Sequence, residues 1–82
     1  MMPTPEAIRQ YILDGLPCEH VEVQGDGAHF EALIVSAAFE GKRRIGRHQQ
    51  VYAALGQRME AEIHALSMRT LTPGEYQEER HG

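Results

Sequence analysis

Apolar spacing changes twice between Phe30 and Leu71, and that constrains most tightly what an 82-residue chain can form. Phe30 to Val35 reads as a strand. After Ser36, the residues Ile45, His48, Tyr52, Leu55, Met59 and Ile63 recur at three- and four-residue steps, a helical stripe with Val51 beside it. From His64 to Leu71 the pattern alternates again, with His64, Leu66, Met68 and Thr70 on one side. A strand that reaches the next strand through a helix pairs with it in parallel, by a right-handed connection. Gly46 and Gly56 weaken the intervening helix, and Gly56 is where it would split in two.

The flanks complete the layout. Thr4-Pro5-Glu6 predicts a helix start, with a hydroxyl cap, proline at the first position and an early acid. Ile8, Ile12 and Leu16 mark its apolar face, and Gly15 with Pro17 ends it. Glu19 to Gln24 alternates with Val21 and Val23 on one face, and Gly25-Asp26-Gly27 signals the turn of a hairpin. Its loop of about four to five residues exceeds the tightest type. Thr72-Pro73-Gly74-Glu75 reads as a capping box that opens a final helix. The predicted order is α-β-β-α-α-β-α, an α/β (α+β) fold in which helices cover a three-stranded mixed sheet. Residues 1–82 would be a single domain with its core at about 4–80.

Composition narrows the function. Eight basic and twelve acidic residues give a net charge of −4, against binding to nucleic acid or anionic lipid driven by overall charge. The longest apolar stretch, Ala32 to Phe39, is broken by Ser36 and too short to span a bilayer. The first ten residues lack a basic and an apolar signal region, and one cysteine, Cys18, cannot form an internal disulfide, so a cytoplasmic protein is expected. No HExxH motif or cysteine pair is present, which argues against a self-contained zinc site. Ser36 and Ser67 lack a nucleophile-elbow context, and so small a sheet offers little pocket; no enzymatic activity is expected.

Five histidines remain. His64 joins helix to strand, where it either interacts with the last helical carbonyls or gives a metal ligand to a site that another molecule completes. His48, on the apolar stripe, reads as a partly buried core histidine or as a hydrogen-bonding residue behind a ligand or at an interface. His29 lies at the exit of the hairpin loop, and His20 and His81 read as surface positions, His81 in a frayed tail. Lys42, Arg43, Arg44 and Arg47 place half of the basic charge within six residues, at a helix start that the dipole does not favour for cations. That cluster is either a solvated face or a docking patch for phosphate or an acidic partner.

The string His29-Phe30, Ile34-Val35-Ser36, Phe39-Glu40-Gly41-Lys42, Arg47-His48-Gln49, Val51-Tyr52, Leu55, Met59, Ile63-His64-Ala65-Leu66-Ser67 and Thr72-Pro73-Gly74-Glu75 resembles the BolA family. The match runs over roughly residues 4–80 in one consistent order, and its hairpin is most similar to the IbaG branch. The resemblance implies a class II KH-like fold and a monothiol glutaredoxin partner that carries a [2Fe–2S] cluster with glutathione. It further implies a role in iron–sulfur assembly, trafficking or iron sensing, with stress response among the family's associations. His64 matches the family's cluster ligand. The second family ligand, a Cys or His in the hairpin loop, falls to His29, with Asp26 or a backbone rearrangement as the alternatives. Imidazole protonation opposes ligation, so cluster binding should weaken as pH falls through about 6.5. The alternative implied by the family is a KH-like transcriptional regulator that binds nucleic acid. Gly41 and Gly46 enclose four residues, however, and so depart from the GxxG loop of KH domains. Homodimerisation of the isolated chain stays open.

Overall fold

The computed structural model describes residues 3–81; the single-domain expectation over 1–82 therefore includes Met1, Met2 and Gly82, which lie outside the described residues. Helix α1 (Pro5–Gly15) leads to strands β1 (His20–Gly25) and β2 (Phe30–Val35) and a 3-10 turn, Ala37–Phe39. Helix α2 (Arg44–Leu55), a second 3-10 turn (Ile63–Ala65), strand β3 (Leu66–Leu71) and helix α3 (Pro73–His81) follow. The sheet order is β1-β2-β3. The first pair is antiparallel, with Val21 opposite Ile34, and β2 pairs with β3 in parallel, with Phe30 opposite Leu66. The α+β arrangement with a mixed three-stranded sheet is thus present as expected.

Local chemistry accounts for the ends of the elements. The Thr4 hydroxyl accepts a hydrogen bond from the Ala7 amide at 3.1 Å, ahead of Pro5. The capping box of α3 is reciprocal: the Glu75 amide donates to Thr72 Oγ1 at 3.2 Å, and the Thr72 amide donates to Glu75 Oε1 at 2.8 Å. Ser36 is fully buried and donates to the Pro17 carbonyl at 2.6 Å while accepting from the Ala38 amide at 3.1 Å. One hydroxyl thereby joins the segment between α1 and β1 to the residue that follows β2.

The main core lies between α1, α2 and one sheet face: Ile8 and Ile12 meet Phe30, Ile34, Val51 and Leu55. Parallel pairing sets Leu66, Met68 and Thr70 beside Phe30, Ala32 and Ile34 on that face. The opposite face carries Glu22, Gln24, Glu31, Leu33, Ser67 and Arg69. Helix α3 reaches toward it: the His20 ring stacks on Tyr76 at 5.2 Å and 19°, and Arg69 pairs with Glu79 at 2.5 Å. His20 is therefore half-buried rather than a plain surface residue, and His81 ends a regular helix rather than a frayed tail.

Three further sequence expectations are corrected. The predicted stripe is only partly the buried face of α2: Leu55 is buried, but Ile45 is 70% and Tyr52 44% exposed, while Val51, set beside the stripe, is buried. Close helix packing sets this rotation: a Cβ on Gly15 would lie 2.8 Å from Ala54 Cα, so the Ala54 side of α2 must face α1. The continuation beyond Gly56 is also not a second helix. Gly56 adopts φ +59°, and turns carry the chain to Ile63. Met59 is buried from a turn, so its helical spacing reflects burial without helix. Likewise His64 lies in the 3-10 turn before β3, not on the strand.

Candidate functional site

The second 3-10 turn presents His64. Ala65 is buried and Ile63 half-buried, so the turn is anchored from both sides while the imidazole between them stays exposed. The Ala65 amide donates to the Glu62 carbonyl at 2.9 Å, which tightens the bend. His64, Ala65, Ala61 and Glu62 form one wall of a shallow hollow of about 360 Å³, and the hairpin tip at Gly27 and Ala28 forms the other.

The tip is held by its own acid. Asp26 Oδ1 accepts hydrogen bonds from the Ala28 and His29 amides, both at 2.9 Å, and these hold its carboxyl below the usual carboxylate range. Gly27 takes φ +94° in the same turn, a conformation that suits glycine. His29 is exposed and its Nε2 lies 3.1 Å from Ser67 Oγ, toward the sheet face opposite the core. His64 and His29 thus flank the same end of the sheet. Among the described residues, no group of three His, Cys, Asp or Glu side chains could hold a metal ion. Cys18 is half-buried near the end of α1, and burial raises its thiol pKa.

A second region gathers the basic cluster. Lys42, Arg43, Arg44, Arg47 and His48 face residues 68–71 of β3 across a groove of about 500 Å³. Arg47 differs from its neighbours, because its side chain is only 13% exposed. Its guanidinium donates to Glu75 at 2.7 and 3.2 Å, to the Thr70 carbonyl at 3.1 Å and to the Lys42 carbonyl at 2.8 Å. It joins α2, β3 and α3. The same pairing, with the Thr72 amide, draws the Glu75 carboxyl down to about 2. Lys42, Arg43 and Arg44 are exposed and in no salt bridge among the described residues. His48 is half-buried on the groove wall, and burial together with Arg44 lowers its pKa.

Sequence reasoning missed Arg69, which lines both this groove and the polar sheet face, and Glu75 as the anion opposite Arg47. The capping box gave a signal for Glu75, but its second partner lies 28 residues away.

Comparison with known proteins agrees with this architecture. The family described as "BolA-like protein" matches residues 16–75. The acid stress protein IbaG of Escherichia coli is 34% identical over 74 residues, covering 89% of this chain and 88% of that protein. The DNA-binding transcriptional regulator BolA of Haemophilus influenzae is 39% identical over 57 residues, 70% of this chain and 55% of that protein. A bolA protein homologue from Coxiella burnetii superimposes with a TM-score of 0.82 at 47% identity, covering 93% of this chain and 99% of that one. With its family match, its related sequences and the same helix-and-sheet layout, the chain belongs to the BolA family.

Proposed function

We propose that this protein is a non-enzymatic accessory of iron–sulfur assembly, trafficking or iron sensing in the cytoplasm. In this reading it pairs with a monothiol glutaredoxin and shares a [2Fe–2S] cluster with it and its glutathione. The observation that carries the reading is the exposed imidazole of His64 on a turn anchored by buried Ala65, at a hollow whose other wall is the hairpin tip. A lone imidazole on an anchored turn suits a site shared between two chains, because its position is fixed while its ring nitrogens remain open to a ligand. Mixed Cys and His ligation would give a cluster of higher reduction potential than four thiolates. His64 would supply one nitrogen, and His29, after leaving Ser67, a second.

The test is reconstitution with a glutathione-loaded monothiol glutaredoxin, followed by visible circular dichroism of the purified complex. A one-to-one complex with a cluster spectrum distinct from that of the glutaredoxin homodimer, altered in His64→Ala, is expected. An identical spectrum in wild type and variant would remove the ligand assignment. A second reading, regulation through DNA, is favoured by the exposed Lys42, Arg43 and Arg44 and by the name of the Haemophilus influenzae relative. It predicts DNA affinity that survives His64→Ala and falls with salt.

A further inference from the structure

The outer edge of β3 is a free strand edge. β3 is an outer strand of the sheet, so one side of its backbone has no neighbouring strand. The Leu71 carbonyl points inward, toward β2, where it accepts from the Ser36 amide at 3.0 Å. The Thr70 carbonyl points the other way and accepts from Arg47 at 3.1 Å. Backbone polar groups alternate sides along a strand, so the N–H and C=O of Met68 and the N–H of Thr70 also face outward. No hydrogen bond to these outward groups is found among the described residues, and they open onto the groove below the start of α2.

That groove has one sign of charge. Its lining holds cations and no acid: Arg47 is paired with Glu75 and Arg69 with Glu79, while Lys42, Arg43 and Arg44 are in no salt bridge among the described residues. The first turn of α2 has no side-chain cap, because Arg43 at the cap position makes no such bond. Its open amides add to the positive potential. A second copy of this chain pairing edge to edge would bring two such clusters together, which argues against self-association here.

From these features we infer that the β3 edge binds an extended acidic peptide segment as a fourth strand. The main chain of the peptide pairs with the N–H and C=O of Met68 and the N–H of Thr70, the Thr70 carbonyl staying with Arg47, and alternate carboxylates lie over Lys42, Arg43 and Arg44. This surface is separate from the His64 hollow, so its test does not depend on cluster binding. Nucleic acid would use the same cations through phosphate but would not need the strand edge.

The test uses the full chain, isotope-labelled, with the blocked heptapeptide Ac-TDVDVDT-NH2. Binding should slow amide hydrogen exchange at Met68 and Thr70 and raise the titration midpoint of His48, which borders Arg44, by about 0.5 pH unit. Affinity should fall about tenfold or more for the Asn-for-Asp peptide and for the Lys42→Glu, Arg44→Glu double variant. A peptide N-methylated at the residues that would pair should not bind. No binding, binding without protection at Met68 and Thr70, or equal binding of the N-methylated peptide would overturn the proposal. So would displacement of the peptide by a ten-residue oligothymidylate at lower concentration, which would give the groove to nucleic acid.

Discussion

Replacing Glu75 by glutamine tests the tie that fastens α3 to the rest of the molecule. Glutamine keeps the carbonyl that accepts from the Thr72 amide, so the capping box survives and only the charge opposite Arg47 is removed. A carboxyl drawn from its ordinary 4.5 to about 2 would contribute about 3 kcal/mol if the whole difference were realised. The Glu75 side chain is 44% exposed, however, and solvent screens it, so about 1–2 kcal/mol is expected. Because the folded value lies below the unfolded one, the contribution is complete above about 4.5 and is lost as pH falls through about 2. Urea unfolding followed by circular dichroism, wild type beside Glu75→Gln, reads this directly. The midpoints should differ by about 1–2 M urea at pH 7. The gap should hold to pH 5, roughly halve near pH 3 and close near pH 2. Asp14 and Asp26 also titrate below their usual range, but they do so in both proteins and cancel in the difference. A gap that is absent at pH 7, or unchanged at pH 3, would refute the account of Arg47 as an internal tie.

Two further perturbations test the packing that positions the site. Gly15→Ala should cost about 1–3 kcal/mol, because the new methyl meets the Ala54 backbone; Gly74→Ala, with open space around it, should be neutral or stabilising in the same thermal melts. Ser36→Ala should cost about 1–3 kcal/mol, since the Pro17 carbonyl and the Ala38 amide lose their hydroxyl partner in a buried place; an unchanged denaturation midpoint would contradict that role.

Much of the fold was legible locally. Thr4 with Pro5 and Thr72 with Glu75 are caps written within four residues, and β2 occupies Phe30–Val35, the span read as a strand from the sequence. The site was legible only in part. The family pattern directs attention to His64, His29 and the basic cluster. It does not reveal that Arg47 is turned inward while Lys42, Arg43 and Arg44 remain exposed. His48 is half-buried as its place on the stripe suggests, yet its neighbour on that stripe, Ile45, faces solvent.

By itself the sequence determined the elements whose causes are short-range: hydroxyl caps, prolines at helix starts, glycine turns and the change from strand to helix period. These depend on backbone conformation and hydrogen bonds between residues at most a few positions apart. Tertiary structure alone decided which side of α2 is buried, how Met59 enters the core from a turn, and which cations are free. Each was set by contacts between distant segments: Gly15 against Ala54, and Arg47 against Thr70 and Glu75. Periodicity identifies a face that can be buried, but the close approach of a neighbouring backbone and the capture of a charge by a distant carboxylate determine which face is.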